Sequence, residues 1–400
     1  MAGENFRTGS DRTLTTYVAN RTHRRLWQAV LILLPATAAC GQATPGNAQS
    51  SPKPFTVQEV AKFSTPWAID FLPGSGVALT EMALVSEKEG KLWLVDTATG
   101  AKQEVAGVPA ANVAGQGGLG DVVVHPGFAG NQRVYLSFVE KGEGGSGAVL
   151  GYGRLILGSG APRIEGFKII WRQAPKVSGN GHFSHRIAFG PDGLLYLSSG
   201  DRQKFTPAQE MTGNLGKVLR LTDEGLPAPG NPFASQGGVA AQFWSIGHRN
   251  VLGLAFAPDG KLWESEMGPE GGDEVNMIVA GKNYGWPTAS NGSNYGGGDI
   301  PDHKSGDGFE PPKVFWNPSI SPGGIMIYNG DKFAAWKGDA LVPALSGEAL
   351  IRIDLDGDKA TKAEQWGMDA RIRAVEQGPD GSVYLLEDAG RLVRLEPVKR

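Results

Sequence analysis

Two histidines and an arginine stand close together in residues 180–186, which read Asn-Gly-His-Phe-Ser-His-Arg. An imidazole ordinarily titrates near neutrality and a nearby cation can bias it, so the pair His182 and His185 beside Arg186 is suited to proton transfer. A strand-like apolar run follows directly, which predicts a loop at the edge of a sheet. A surface loop with incidental histidines is the alternative.

A second polar group is Arg249 followed by Asn250, in the phrase Gly-His-Arg-Asn at residues 247–250. A guanidinium offers a fixed fork of donors and an amide adds to it, so the pair can hold an oxyanion or a carboxylated ligand. The other interpretation is that both side chains cap a loop.

A third group is acidic, because Glu266, Glu270, Asp273 and Glu274 fall within nine residues that also contain Gly and Pro turns. Carboxylates this dense repel one another unless they are solvated or bind a cation, and with backbone carbonyls they form the oxygen set that Ca²⁺ prefers. The spacing does not match an EF-hand loop. A metal site and an acidic surface loop are therefore both open at this point.

The fourth group is Arg371 and Arg373, which alternate along a predicted strand so that both guanidinium groups point the same way. Two like charges on one face need an anionic partner. That partner is either a local carboxylate or a polyanionic ligand.

A recurring phrase indicates the elements that position these residues. Pro-Asp-Gly followed by alternating apolar residues occurs at 191–193, 258–260 and 379–381, with a looser copy at Pro126. Each copy predicts a β-hairpin, because Pro presets φ, Asp caps the turn and Gly accepts a positive φ. The copies recur at roughly 60 residues, so residues 55–400 hold about six units. We predict an all-β, six-bladed β-propeller whose loops meet over a central channel; two packed β-sandwiches are the alternative.

The composition excludes several classes of protein. The 400 residues include 59 Gly and 26 Pro without a Gly-X-Y period, which rules out collagen, and 10 Trp, 16 Phe and 8 Tyr supply a core. The net charge of −3 provides no basic field for nucleic acid or an anionic membrane. We therefore expect small or neutral partners and no nucleic acid.

The N-terminal residues have the order of a secretory signal, because five arginines within residues 1–25 precede the apolar run 26–34, which is too short to span a membrane. We expect a signal peptide over residues 1–39, a flexible tether over 40–54, a catalytic domain over 55–400 and a periplasmic or cell-envelope location. Cys40, the only cysteine, follows small residues as in a lipoprotein signal, so a lipid on Cys40 would be the one link to a membrane. Simple cleavage without lipidation is the alternative.

Four phrases occur in combination: Gly-Gln-Gly-Gly-Leu-Gly-Asp at 115–121, Gly-His-Arg-Asn at 247–250, Gly-Asp-Glu-Val-Asn at 272–276 with Asn-Tyr-Gly-Trp-Pro at 283–287, and Arg-Ile-Arg at 371–373. Together they resemble the soluble glucose/sorbosone dehydrogenase family, the pyrroloquinoline-quinone (PQQ)-dependent aldose sugar dehydrogenases. The resemblance covers residues from about 66 to 395. It implies a six-bladed propeller with the quinone over the channel beside a Ca²⁺ ion.

The resemblance also implies roles for single residues. His182 matches the catalytic base that takes the proton from the C1 hydroxyl of the sugar as hydride moves to the quinone, and Arg249 matches the arginine over the reacting oxygens. Cofactor contacts are implied at Gln116, Asn250, Tyr295, Ala344, Leu345, Ser346, Arg371 and Arg373. Calcium ligands are implied at Gly268 and Pro269, through their carbonyls in the active site, and at Glu274 and Tyr284 in a structural site.

The chain departs from the family pattern at two places. Ser346 stands where a Lys or Arg is usual, and Ser184 and His185 stand where small glycines are usual. Losing one cation beside an anionic quinone weakens binding by about 1–3 kcal/mol if nothing compensates. Arg352 and His185 are the candidates to compensate.

The function that these residues imply is PQQ- and Ca²⁺-dependent oxidation of an aldose at C1 to the lactone, with electrons passed to an acceptor that the sequence does not identify. One alternative is a Ca²⁺-dependent propeller lactonase, in which the paired arginines have no clear use. The other is a sugar-binding propeller without a cofactor, anchored in the envelope, which Ser346 favours.

Overall fold

The structure, a computed structural model, describes residues 51–74, 81–158 and 160–398. The predicted signal peptide, Cys40 and most of the predicted tether lie outside these residues. Within the described ranges, no helix is both long enough and apolar enough to cross a membrane.

The strands form six four-stranded antiparallel sheets, which we call blades 1 to 6 in chain order. From the first strand to the last in each sheet, the blades contain Pro66–Phe71, Met82–Glu87, Lys91–Asp96 and Lys102–Glu104 (blade 1); Leu119–Val124, Arg133–Gly142, Gly145–Ile156 and Arg163–Arg172 (blade 2); Ser184–Phe189, Leu195–Ser199, Lys217–Leu221 and Phe243–Ile246 (blade 3); Val251–Phe256, Leu262–Glu266, Asp273–Ile278 and Val314–Trp316 (blade 4); Met326–Ile327, Ala340–Ala344, Ala349–Asp356 and Lys359–Gly367 (blade 5); and Ile372–Gln377, Val383–Glu387, Arg391–Pro397 and Phe55–Lys62 (blade 6).

The remaining elements are short. Glu270–Gly271 and Gly292–Ser293 form a two-stranded ribbon. One helical turn and four 3₁₀ segments complete the list: Phe128–Asn131, Thr206–Gln209, Ala234–Gln236, Gly238–Gln242 and Ala334–Trp336.

The three Pro-Asp-Gly phrases join the first and second strands of blades 3, 4 and 6, as predicted. In each turn the aspartate accepts a hydrogen bond from the amide two residues further on, and the glycine has a positive φ. The aspartates are Asp192, Asp259 and Asp380, and the glycines Gly193, Gly260 and Gly381 have φ values of 75°, 84° and 81°. The turn chemistry is therefore the local cause of the repeated hairpin.

Alternate side chains of the strands fill the spaces between neighbouring blades. In the second strand of blade 1, Leu84 joins an apolar cluster shared with blade 2, and the next residue, Val85, joins one shared with blade 6. Both are fully buried, and burying a side chain of this size contributes about 1.5–3 kcal/mol. The core is therefore a ring of interfaces between blades, produced by the two-residue period of the strands.

Blade 6 joins the two ends of the described chain. Its last strand, Phe55–Lys62, pairs antiparallel with Arg391–Pro397, with Phe55 opposite Pro397. The first strands of all six blades line one central cavity of about 280 Å³. One ring around one cavity confirms the six-bladed propeller and excludes the two-sandwich alternative.

Candidate functional site

The first strand of each blade lines the central cavity, and we call it the inner strand. A second cavity, of about 470 Å³, lies where these inner strands begin, and we call it the large cavity. Each blade contributes one residue to the wall of this cavity. That residue is either the first of the inner strand or lies up to five positions before it. In blade order these are Pro66, Gln116, Ser184, Asn250, Ser321 and Arg371. The propeller thus gathers residues from the whole chain at one end of the channel.

A neighbouring cavity of about 140 Å³, the small cavity, is lined by His182 and Arg249. The residues that follow them in sequence, Phe183 and Asn250, line the large cavity. The first two polar groups of the sequence therefore meet between the two cavities, as expected from their position one repeat apart.

His182 is held by a buried carboxylate. Its Nδ1 lies 2.7 Å from Oδ1 of Asp201, and the other oxygen of Asp201 accepts a hydrogen bond from Nε1 of Trp286 at 2.7 Å. A carboxylate only accepts hydrogen bonds when it is ionised, so this contact favours the tautomer of His182 with its proton on Nδ1. Nε2 has no hydrogen-bond partner in the described part of the chain.

Sequence reasoning assigned no role to Asp201 or Trp286. Asp201 directly follows the strand Leu195–Ser199 and Gly200, and an acidic residue just past the end of a buried strand is a usable signal. Trp286 lies in a motif that the sequence analysis quoted, but nothing in the sequence indicates its contact with Asp201, 85 residues away.

The loop that carries His182 has a strained backbone. His182, Ser184 and His185 have φ values of 48°, 58° and 61°, in the left-handed region that favours glycine. Positions 184 and 185 are those at which the family resemblance leads us to expect glycine. The amide of His182 donates to Oε1 of Gln116 at 2.7 Å, so Gln116 helps to fix this loop.

Arg249 lies between the small cavity and the acidic residues. Its guanidinium donates to the carbonyl of Met267 at 2.9 Å and lies 5.2 Å from the ring of Trp286 and 5.8 Å from the ring of Tyr295. Its backbone amide donates to Oε2 of Glu266 at 2.8 Å. Tyr295 is 70% exposed, at the mouth of the small cavity.

Arg371 and Arg373 lie together in the wall of the large cavity and share a local carboxylate. Nε of Arg371 lies 3.1 Å from Asp388 Oδ2, and Nε of Arg373 lies 2.9 Å from Oδ1. Burial raises the pKa of Asp388, but the charge of Arg373 and the hydrogen bonds from both arginines outweigh it and hold the pKa below its ordinary value. Because two cations share one anion, this wall keeps a net positive charge.

The three residues at 344–346 are placed differently from one another. Leu345 lines the large cavity, whereas Ala344 is fully buried in the core between blades. Ser346 is exposed, and its hydroxyl lies 2.8 Å from that of Ser321, another residue of the cavity wall. Of these three predicted cofactor contacts, only Leu345 lines the large cavity.

Neither residue expected to replace the missing cation does so. Burial lowers the pKa of His185 to about 3, so this imidazole is neutral. Arg352 is paired with Asp339 and with Glu364, away from the cavity. Instead Lys88, which sequence reasoning missed, lines the large cavity. No sequence signal distinguishes Lys88 from a surface lysine.

A pocket of about 10 Å³, which we call the acidic pocket, adjoins Arg249 and is lined by Gly268, Pro269 and Glu274. No described residue donates a hydrogen bond to the carbonyl of Gly268 or Pro269. Two unpaired carbonyls beside buried carboxylates suit a hard cation. Tyr284 also lines the pocket, but its hydroxyl donates to the carbonyl of Met277 at 2.7 Å, which leaves only its backbone oxygen for a metal.

Behind the acidic pocket, His248, Glu264 and Glu266 offer ligand atoms within 4.8 Å of one another. Three buried atoms here lack a hydrogen-bond partner among the described residues: Nδ1 of His248, Oε2 of Glu264 and Oδ1 of Asn276. Burial, together with the charge of Glu266, raises the pKa of Glu264 and of Glu274 well above the ordinary value. A bound cation would relieve both the charge repulsion and the unpaired atoms.

The other two acidic residues of this segment have different roles. Asp273 accepts hydrogen bonds from the amides of Gly268, Ile320 and Ser321, so it fixes loops rather than offering free oxygens. Glu270 is exposed. The interpretation as a surface loop is wrong for Glu266 and Glu274, which are buried.

Comparison with known proteins decides the family. The model of the Glucose / Sorbosone dehydrogenase family matches residues 63–394. The chain belongs to this family. The match reaches all six blades and, of their strands, leaves out only Phe55–Lys62 and the last three residues of Arg391–Pro397.

One relative of this glucose/sorbosone dehydrogenase family member is the aldose sugar dehydrogenase YliI of Escherichia coli. The two are 38% identical over 84% of this chain and 91% of the relative. A crystal structure of soluble aldose sugar dehydrogenase from Escherichia coli in the apo-form is 37% identical and aligns with a TM-score of 0.80 over 86% of this chain and all of the other. The PQQ-bound aldose sugar dehydrogenase of Streptomyces coelicolor is 30% identical, with a TM-score of 0.69 over 87% of this chain and 99% of the other.

Proposed function

We propose that the protein is a PQQ- and Ca²⁺-dependent aldose dehydrogenase that oxidises the C1 hydroxyl of a sugar to the lactone, with His182 as the general base. The observation that carries this proposal is the buried Asp201–His182 pair, with Nε2 unpaired, at the junction of the two cavities. The PQQ-bound relative from Streptomyces coelicolor and the quinoprotein glucose dehydrogenase B of Acinetobacter calcoaceticus, 29% identical, support the choice of cofactor.

The proton step depends on the hydrogen bond between Asp201 and His182. Asp201 holds the proton on Nδ1 and stabilises the imidazolium that forms when Nε2 takes the proton of the C1 hydroxyl. Arg249 lies in the same small cavity. Its guanidinium is positioned to stabilise negative charge on the C1 oxygen as that proton leaves.

The large cavity fits a flat polycarboxylate. Its volume of about 470 Å³ is in the range of cofactor sites, and its wall carries Lys88, Arg371 and Arg373 against Asp388. We propose that these cations bind the carboxylates of PQQ by charge-assisted hydrogen bonds. PQQ, when bound, supplies the two-electron acceptor for the hydride of C1.

Calcium would be held at two places. The carbonyls of Gly268 and Pro269 would hold one ion at the acidic pocket, beside the small cavity that Pro269 also lines, and this ion would supply a Lewis acid. Glu274, with the backbone oxygen of Tyr284, would hold a structural ion, and the unpaired atoms of Glu264, Asn276 and His248 beside Glu274 support a cation there.

The test is to mix purified apoprotein with Ca²⁺ and PQQ and to follow dye reduction with glucose and other aldoses. We expect one PQQ per chain by absorbance titration and turnover that His182→Asn abolishes. No turnover by the wild-type protein would refute the proposal, and undiminished turnover by His182→Asn would refute the assigned base. Binding of sugar without binding of PQQ would instead favour the sugar-binding alternative.

We also propose that the protein is exported to the periplasm or cell envelope. The proposal is supported by the order of basic and apolar residues before Cys40. Fractionation of cells and mass spectrometry of the mature N-terminus test it. We expect cleavage before residue 55, and Cys40→Ser distinguishes lipidation from simple cleavage, because it releases the protein from the membrane fraction only in the first case.

A further inference from the structure

Phe205 occupies a position that packing does not explain. It is 47% exposed, although large aromatic side chains are usually buried. Its backbone has φ 62° and ψ −87°, a conformation that glycine adopts easily and phenylalanine does not. Arg202 and Gln203, in the same loop, also have positive φ values of 58°. An exposed aromatic ring on a strained loop indicates a role for the ring in contacting a ligand.

The ring of Phe205 forms part of the wall that faces the predicted base. It lines the small cavity together with His182 and Asp201. One side of the ring stacks on Trp286, with centroids 5.5 Å apart and planes 30° apart. Trp286 donates a hydrogen bond to Asp201, and Asp201 also contacts His182. The ring on which Phe205 stacks is therefore fixed relative to the predicted base.

Two residues with side-chain amides, Gln203 and Asn294, also line the small cavity. Neither amide has a hydrogen-bond partner within the described ranges. A pyranose ring has an apolar C–H face and a rim of hydroxyl groups. An aromatic wall with free amides around it matches both features.

We infer that Phe205 positions the substrate, because the C–H face of the reacting aldose packs on its ring while sugar hydroxyls bond to Gln203 and Asn294. This inference rests on the proposed function for the identity of the reaction. The ring then holds the C1 hydroxyl beside Nε2 of His182. Removing the ring should weaken sugar binding and leave the cofactor site, on the other side of His182, unchanged.

The experiment compares Phe205→Ala, Phe205→Gly and Phe205→Tyr in the full-length protein. Phe205→Gly removes the ring and also relieves the backbone strain. Its effect therefore reports the loss of the ring and not a change in the conformation of the loop. Phe205→Tyr keeps an aromatic face. Phe315→Ala is the matched control, because Phe315 is equally exposed, at 45%, but lies in the outer strand of blade 4.

Two readouts are needed. The first is KM and kcat for glucose with Ca²⁺, PQQ and dye, with PQQ affinity measured separately by absorbance titration. The second is saturation-transfer NMR of glucose with the apoprotein, in which the aromatic protons are irradiated, so that it requires no turnover. We expect Phe205→Ala and Phe205→Gly to raise KM by about 3- to 30-fold with kcat and PQQ affinity within twofold, and to lose the transfer signal. Phe205→Tyr should restore both.

The outcomes separate this inference from the proposed function. If the wild-type protein shows no turnover but transfers saturation to glucose through Phe205, the positioning role stands and the dehydrogenase proposal fails. If Phe205→Gly keeps the wild-type KM, or if the transfer signal survives in it, the inference is wrong. It is also wrong if the wild-type protein gives no transfer signal, or if Phe315→Ala has the same effect.

Discussion

Single side chains at this site are held in one protonation state or one orientation by partners that are distant in sequence. Nδ1 of His182 lies against Asp201, which leaves Nε2 without a partner among the described residues, and Asp201 in turn accepts a hydrogen bond from Trp286. Arg371 and Arg373 are kept together by Asp388. The chemistry of each residue therefore depends on its neighbours more than on its type.

The first prediction concerns Asp201→Asn. An amide can donate to Nδ1 of His182, which moves the imidazole proton to Nε2 and removes the base. We expect kcat in the dye assay to fall by about 10²–10⁴-fold, with PQQ affinity unchanged by absorbance titration. Asp259→Asn, in an exposed turn, is the control. A kcat within twofold of the wild-type value would contradict the role of Asp201.

The second prediction concerns the pH dependence of stability through His185. Burial lowers its pKa to about 3, below the ordinary value of about 6.5 in an unfolded chain. Between these values the unfolded chain binds a proton that the folded protein does not. Stability is therefore complete above about pH 6.5 and is lost as the pH falls towards 3, at up to about 1.4 kcal/mol per pH unit.

His185→Asn removes this titration and keeps a side chain that tolerates the left-handed backbone. We expect the free energy of unfolding, measured in urea at pH 7, 6 and 5, to fall less steeply for the variant than for the wild-type protein. Equal slopes would mean that folding does not lower the pKa of His185.

At the scale of elements, two kinds of segment have different origins. Hairpins are produced by local turn chemistry, as in the three Pro-Asp-Gly turns. The segments at the site, such as 180–186 and 201–205, are instead strained and held by contacts from other blades. For example, the backbone amide of Asp201 donates to the carbonyl of Arg249 at 2.9 Å, and Arg249 lies in the loop that precedes blade 4.

The third prediction tests the turn chemistry. Gly193 has φ 75°, and an added Cβ would meet no atom within 4 Å, so Gly193→Ala introduces backbone strain alone. We expect a loss of about 1–2 kcal/mol in the free energy of unfolding by denaturant titration. Gly130→Ala is the control, because it also has open space but no positive φ. It should be neutral or slightly stabilising, and an equal effect of both variants would contradict the explanation.

The fourth prediction concerns the strands that carry the acidic residues. Because burial and the charge of Glu266 raise the pKa of Glu264 and of Glu274 well above the ordinary value, we expect Ca²⁺ binding to release protons and to raise the melting temperature. At about 100-fold excess over Kd the stabilisation is about 2.7 kcal/mol. Chelation should reverse it.

Calorimetry in buffers of different ionisation enthalpy measures the proton release. Glu274→Gln should lose the melting-temperature shift, whereas Glu270→Gln, in the exposed part of the same segment, should keep it. A shift that persists in Glu274→Gln would place the ion elsewhere.

For the whole molecule, ring closure is the step on which the site depends. The strand Phe55–Lys62 is paired with Arg391–Pro397, so it completes the blade whose inner strand carries Arg373. Opening the ring would move Arg371 and Arg373 of blade 6 relative to His182, which precedes blade 3.

The fifth prediction tests this closure through Phe55, which is buried between Trp336 and Trp366 with ring centroids 6.0 and 5.5 Å away. Phe55→Ala should lower the free energy of unfolding by about 3–5 kcal/mol in denaturant titration. Val57→Ala, in the same strand but 42% exposed, should cost less than about 1 kcal/mol. Equal losses would mean that the closure strand contributes little through Phe55.

The sequence by itself predicted the propeller and the meeting of several polar loops at one end of its channel. Turn chemistry and the two-residue strand period are local, so the hairpins and the core could be predicted from Pro-Asp-Gly and its apolar neighbours. The loops with His182, Arg249 and Arg371 could be placed together because the repeat makes their blades share one channel.

Only the tertiary structure decided which partner each of these groups has. Asp201 holds His182, Asp388 holds the arginine pair, Lys88 rather than Arg352 or His185 brings a cation to the large cavity, and His248 and Glu264 adjoin the acidic pocket. These contacts join residues from different strands and blades. A hydrogen bond or an ion pair depends on distances of a few ångströms, which no local pattern in the sequence encodes.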